Sequence, residues 1–349
     1  MTDFNELYRE HNQSMEDFWS RRENAPKYER TIQVFGYPVI FSSNNFNILD
    51  SSGIAERMYS STEATEAPAW RVYLIVQDSK SDPGPPPDRL IDLVQYRGAD
   101  DWLSIGLGAW GTCFVDMKRA EAHAVLSASL AERPELVSQV LLNTILTNFI
   151  TRHGYSMLHA SALVKDERIL LFQAPHGTGK STTALRLILR GYKLLSDSMV
   201  YIGEHAGELK MGGFPIGRIK LRTDMLPLFP AQAAGAKTEP VRNETKHRVE
   251  LDQLDPGLAY REMIAVQGVE YCLLERWSES RSQLEPLRRE ELWPEIMVNS
   301  LHYDTPELWK ENLRKVELLL DHSSLHRLRI GTSEKEILNT VEQLWLHRK

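Results

Sequence analysis

The segment Ala174-Pro-His-Gly177-Thr-Gly179-Lys180-Ser181 constrains the fold more than any other stretch of the chain. An apolar run, Ile169-Leu-Leu-Phe172, leads into it, and the alanine- and leucine-rich segment 182–192 follows. Two glycines let the backbone take angles that open a concave ring of N–H groups. Between a strand and a helix N-terminus, such a ring favours phosphate oxygens, because the first helical turn carries partial positive charge. Strand, glycine loop and helix in that order predict an α/β fold. The segment fits the Walker A pattern G-x-x-x-x-G-K-[ST] except that Ala174 stands at the first glycine. That position needs only ordinary backbone angles.

This pattern assigns Pro175, His176, Gly177, Thr178, Gly179, Lys180, Ser181 and Thr182 to the binding of ATP or another nucleoside triphosphate. Lys180 would reach the β- and γ-phosphates, and the Ser181 hydroxyl would join a Mg²⁺ shell. The bland alternative is an incidental glycine-rich turn. His176 would lie near the phosphates, although a side chain at such a place more often points to solvent.

Downstream, the strand-like Lys193–Ile202 carries Asp197 between Ser196 and Ser198. A carboxylate on a strand beside a phosphate loop can bind Mg²⁺ or accept a proton from an attacking hydroxyl. It can equally be a turn aspartate between two strands, and spacing leaves both readings open.

With 349 residues the chain is long enough for two domains. Residues 1–30 are charged and read as an arm or surface helix that Met15, Phe18 and Trp19 would dock. Short β-like runs follow at 31–41, 70–76, 92–97, 101–108 and 111–117, interrupted by the proline-rich loop 78–88. Residues 134–154 read as a helix from Pro134 to Gly154. Its apolar face comprises Leu136, Val140, Leu141, Ile145, Phe149 and Ile150. The expectation is therefore an N-terminal arm with a small β-rich domain over 1–130, and an α/β domain over 131–349. In the second domain, 156–164 and 167–174 read as strands around a tight turn, 182–192 as a helix, and 193–202 as one or two further strands. Strand, helix and strand imply a parallel pair with a crossover. Helices are expected from Thr305 to Asp321 and, behind a Ser333–Glu336 capping box, to near Trp345.

A net charge of -7 argues against a nucleic-acid partner. Cys113 and Cys272 stand too far apart for metal-ligand spacing, which favours a reducing compartment. The polar opening residues do not read as a secretory signal, and no apolar run reaches membrane-spanning length. The expectation is a soluble, cytoplasmic protein with no membrane partner.

Residues 158–202, LHASALVKDERILLFQAPHGTGKSTTALRLILRGYKLLSDSMVYI, resemble the HPr kinase/phosphorylase superfamily. There a histidine-bearing strand, a loop with G-x-G-K-S, a helix ending in R-G and a D-D pair follow closely. The L-H-A-S-A variant and β-rich front look most like the lasso-peptide-kinase branch, whose members phosphorylate a peptide serine. The resemblance implies a P-loop, HPr-kinase/PEP-carboxykinase-like C-terminal domain. It assigns phosphate and metal roles to Lys180 and Ser181, matches His159 to the strand histidine, and matches Asp197 to the general base and metal ligand. Ser198 replaces the second aspartate, removing a negative charge. Relatives are often oligomeric, which leaves a homo-oligomer open. His159 otherwise reads as a strand histidine bonded inside a sheet.

Arg218, Lys220 and Arg222 alternate on one strand face, and Lys246, His247 and Arg248 precede a strand-like Val-Glu-Leu. Either set suits an anion, or is simply a solvated face. Residues 224–246 read as a loop, acting as a lid or merely disordered. The expected activity is ATP- and Mg²⁺-dependent phosphate transfer to a hydroxyl, with a serine of a peptide or small protein as partner. A nucleotide-binding regulator and a hydrolase are the rivals.

Overall fold

The computed structural model describes residues 26–77, 82–205, 207–241, 244–299 and 305–346. The expected arm, apart from its last residues, and part of the loop at 78–88 lie outside them. The chain has mixed α/β architecture and divides into two compact units. One comprises residues up to Arg57 with Ala64–Arg152, and the other Met58–Glu63 with His153–Lys349.

The first unit is built on a seven-stranded sheet of order β1-β2-β3-β7-β6-β5-β4. Its strands are β1 Tyr28–Val34, β2 Tyr37–Ser43, β3 Trp70–Gln77, β4 Gln95–Ala99, β5 Trp102–Gly106, β6 Gly111–Asp116 and β7 Glu121–Ser127. The run expected at 31–41 is a hairpin, not one strand. It turns at Phe35 and Gly36, whose φ values of 48° and 81° suit the right-handed twist of two paired strands. β2–β3 and β3–β7 pair in parallel, so the unit needs crossovers, and one of them contains helix α1, Asp50–Glu56. The helical segment α2, residues 134–152, has a π turn at Ser138–Leu142. Its expected apolar face is buried, and Phe149 meets Trp70 edge-on at 5.6 Å. That face belongs to the first unit, so the boundary expected near residue 130 lies beyond Arg152.

Among the described residues, the second unit contains three sheets. A six-stranded sheet has the order β11-β9-β10-β18-β20-β19, a four-stranded one β17-β13-β12-β8, and a three-stranded one β14-β16-β15. The strands are β8 Tyr155–Leu158, β9 Ser161–Lys165, β10 Arg168–Gln173, β11 Lys193–Ser196, β12 Met199–His205, β13 Glu208–Phe214, β14 Arg218–Arg222, β15 Lys237–Val241, β16 Glu244–Glu250, β17 Ile264–Ala265, β18 Val269–Arg276, β19 Gln283–Pro286 and β20 Ser323–Ile330. The longer helices are α3 Lys180–Ile188, α4 Arg289–Asn299, α5 Pro306–Asp321 and α6 Glu334–Leu346. Thr305 caps α5, its hydroxyl accepting from Leu308 N at 3.3 Å.

β10 explains the core. Ile169 and Leu171 face one apolar cluster with Val200, Leu273 and Leu319, whereas Leu170 and Phe172 face another with Ala184, Leu185 and Ile188 of α3. A strand covered on both faces is apolar at every position, which accounts for the unbroken run before the glycine loop. Each 0%-exposed leucine there contributes about 2 kcal/mol of burial free energy.

Three expectations change. The run 156–164 is two strands in different sheets, broken at His159–Ala160, while 193–202 holds two strands, within the one or two expected, parted at Asp197–Ser198. Two chain segments thus cross between the four-stranded and six-stranded sheets side by side, in opposite directions. Gly213 permits this approach, since a Cβ there would stand 2.0 Å from the Leu195 carbonyl oxygen. Next, the crossover through α3 does not make β10 and β11 neighbours, because β9 lies between them. The β9–β10 hairpin, turning at Asp166 and Glu167 with φ of 50° and 58°, takes that edge of β10 first. The parallel neighbour of β10 is β18. Finally, much of the expected loop 224–246 is ordered, with β15 and β16 forming a hairpin that extends β14. Its charged outer face hides the strand pattern, while Ile219, Leu221 and Val249 bury the inner one. None of the described helices is long and apolar enough to cross a membrane.

Candidate functional site

The glycine loop joins β10 to α3, and its glycines carry the angles the pattern requires. Gly177 has φ 82° and Gly179, immediately before α3, has φ 119°. The helix begins at Lys180, so its first amides belong to the loop. Thr178 ties the loop to itself through Oγ1, donating to the Pro175 carbonyl at 2.9 Å. Arg276, at the end of β18, donates from Nε to the Thr178 carbonyl at 3.3 Å. Pro175 and His176 are exposed, and Ser181 and Thr182 half-buried in the first turn of α3.

Lys180 is 9% exposed, and its ammonium donates to the carbonyl of Ala174 at 2.6 Å and to that of Pro175 at 3.5 Å. Burial lowers its proton affinity and Lys246 adds repulsion, whereas Asp197 and Glu295 pull it back up. The carbonyl of Glu295, on α4, accepts from Gln173 Nε2 at 3.0 Å, which fastens that helix to the end of β10. Tyr271 donates to the other end of the same amide.

Asp197 sits where the chain switches sheets, held from several sides. Ser161 Oγ donates to Oδ1 at 3.0 Å and the amide of Lys220 donates to Oδ2 at 3.2 Å, and the nearby Ser181 side chain also favours the ionised carboxylate. Desolvation nevertheless outweighs these donors and the nearby Lys180 charge, and pushes its pKa up to about 6. His159, at the neighbouring switch, is driven the other way, to about 4. Desolvation is the main cause, followed by the positive charges of Lys180, His176 and Lys246. It is therefore neutral at physiological pH. The expected residues Lys180, Ser181, Asp197 and His159 are thus gathered at one end of β9, β10 and β11.

The basic sets divide. Arg218 pairs with Glu250 at 3.0 Å, Lys220 with Glu239 at 2.6 Å and Arg222 with Asp224 at 3.1 Å. Arg248 is held by Glu250 at 2.8 Å and by Glu239. Lys246 reaches instead into the loop, with Nζ 3.0 Å from His176 Nε2, and the Arg222 guanidinium lies 3.9 Å from where a Gly177 Cβ would stand. His247 points away from them and bonds Thr223 at 3.1 Å. Ser198 N donates to Ser196 Oγ at 3.2 Å, so this stretch is locked as a turn as well as lining the site.

Chemically, two glycines with open amides and several cations suit a polyphosphate anion. The oxygen donors for a divalent cation are the Ser181 hydroxyl and the Asp197 carboxylate. Among the described residues no group of three or more His, Cys, Asp or Glu could hold a metal ion, so a cation here would need phosphate oxygens to fill its shell.

No protein-family model matches the chain, and no curated protein does. Among solved structures it is similar to the Hpr(Ser) kinase/phosphatase from Coxiella burnetii. That likeness covers 54% of this chain and 96% of that chain, at 15% identity and a TM-score of 0.29.

Ser161, Gln173, the Lys220 amide, Glu295 and Arg276 were not legible as site residues. Ser161 alone left a signal, a hydroxyl inside an otherwise apolar strand two residues after His159.

Proposed function

We propose that the chain is an ATP- and Mg²⁺-dependent kinase of the HPr-kinase type that phosphorylates a hydroxyl, a serine of a peptide or small protein being the acceptor. The observation that carries this is Asp197, held by the Ser161 hydroxyl and the Lys220 amide within reach of the buried Lys180 charge. A desolvated carboxylate beside an ammonium, at the end of a glycine loop, favours a functional role over that of a turn aspartate.

Lys180 exchanges the Ala174 carbonyl for the β- and γ-phosphates, and the amides around Gly177 and Gly179 hold the chain of phosphates in line. Lys246 and Arg222 add positive charge on the hairpin side. Mg²⁺, held by Ser181, Asp197 and phosphate oxygens, would neutralise charge that builds on the transferred group. Asp197 accepts the proton of the attacking hydroxyl as its oxygen bonds the γ-phosphorus and the bond to the β-phosphate oxygen breaks, leaving ADP. A pKa near 6 leaves this carboxylate mostly ionised in neutral solution, yet more basic than an ordinary aspartate. Neutral His159 serves as a hydrogen-bond partner to the phosphoryl group or to Asp197.

Ser198, without a second carboxylate, favours one other reading, a nucleotide-binding regulator that no longer transfers phosphate. Incubation with γ-labelled ATP and serine peptides separates them. Label in peptide supports the kinase, and binding without turnover supports the regulator. Release of free phosphate alone would mean a hydrolase.

A further inference from the structure

We infer that Ser161 is a positioning residue that fixes the Asp197 carboxylate for proton abstraction. This rests on the kinase reading above and adds a residue to its machinery.

Ser161 opens β9 and is 0% exposed, between Ala160 and Ala162, which are equally buried. A hydroxyl in such a place costs about 1–3 kcal/mol unless bonded, whereas alanine would cost nothing of the kind. The strand therefore holds a polar group against its own interest, and Asp197 is what it bonds. Ser161 Oγ lies 3.0 Å from Oδ1 and 3.2 Å from the main-chain oxygen of the same residue. Its single proton is shared between them, so one hydroxyl ties the side chain of Asp197 to its own backbone. The other carboxylate oxygen, Oδ2, is held at 3.2 Å by the amide of Lys220, on β14. Oδ1 and Oδ2 are thus gripped from two strands of different sheets, and turning the carboxylate about its Cβ–Cγ bond breaks both contacts.

The grip matters because Asp197 lies at a sheet switch, where it is bracketed by Ser196 and Ser198 and no regular ladder fixes its backbone. Ser161 belongs to the six-stranded sheet that also carries the glycine loop, so its hydroxyl references the base to the strand that positions the phosphates. It has no part in binding nucleotide itself. Losing it should therefore reduce turnover and leave nucleotide affinity alone.

The test compares Ser161→Ala, Ser161→Cys and Asp197→Asn with wild type, using γ-labelled ATP and a panel of serine-ending peptides. Cysteine nearly preserves the volume but donates weakly, so it separates packing from hydrogen bonding. For both Ser161 variants kcat should fall by about ten-fold or more while KM for ATP stays within about two-fold. Calorimetric binding of Mg-ATP shows that each variant has folded. If Asp197→Asn is inactive but Ser161→Cys keeps wild-type kcat, or loses activity mainly through KM, the positioning role is wrong. If Asp197→Asn itself transfers phosphate normally, or wild type transfers none, the base assignment fails and Ser161 falls with it.

Discussion

The ammonium of Lys180 stands 2.6 Å from the carbonyl oxygen of Ala174, the residue that occupies the place of the pattern's first glycine. This accounts for the departure from the pattern. Ala174 contributes its main-chain oxygen, while its methyl group is 0% exposed in the apolar cluster beneath α3. A glycine would supply the same carbonyl with less packing. Lys180 is thereby kept paired and close to the loop, and on the proposed reading a phosphate displaces the carbonyl.

Replacing Asp197 by asparagine removes the proposed proton acceptor and keeps the shape. Mg-ATP affinity should change by less than about ten-fold, whereas phosphate transfer should fall by about a hundred-fold or more. Steady-state kinetics alongside calorimetry check both, and normal transfer contradicts the base assignment.

The raised pKa of Asp197 has a defined pH signature. Transfer should rise with pH through about 6, as the carboxylate ionises. Stability moves the opposite way. The unfolded carboxylate releases its proton near 3.8 and the folded one near 6, so between these values the folded state binds more protons. The contribution of Asp197 to stability is highest below this window and falls as pH rises through it, by up to about 3 kcal/mol. Melting curves of wild type and Asp197→Asn at pH 4 and pH 7 should show the variant gaining relative stability at the higher pH.

The loop and the residues around it were the readable part of the chain. Glycine spacing, an apolar run and a helical segment are local signals that pointed to Lys180 and Ser181, whereas spacing left Asp197 open and the family resemblance singled it out. The parallel joins of β10 to β18 and of β18 to β20 were not readable, because partners such as Leu171, Tyr271 and Leu325 lie far apart in sequence. The break at His159–Ala160 was hidden because residues on both sides of it are buried, and an unbroken apolar run shows no change of sheet. The β14–β16–β15 sheet escaped for the opposite reason. Cross-strand pairs such as Lys220 with Glu239 make its outer face look like a polar loop.

Gly213 lies where β13 passes β11. Gly213→Ala would drive a methyl group against the Leu195 carbonyl, 2.0 Å from its ideal position, and two sheets would have to part. A loss of more than about 2 kcal/mol is expected in urea unfolding.

Glu270 is 3% exposed and bonds Arg168 at 2.5 Å and His326 at 2.8 Å, joining three neighbouring strands well away from the loop. Glu270→Ala leaves a partly buried guanidinium without its carboxylate and should cost about 3 kcal/mol. Transfer kinetics measured below the melting transition should be unchanged, which separates this ion cluster from the site.

The central claim is that the Gly177–Ser181 loop closes on a triphosphate through Lys180. Titration calorimetry with Mg-ATP tests it most directly, on wild type and on Lys180→Ala. Saturable one-site binding by wild type, weakened by about a hundred-fold or more in the variant, is the expected result. Absence of binding by wild type to either ATP or GTP, or equal binding by the variant, would contradict it.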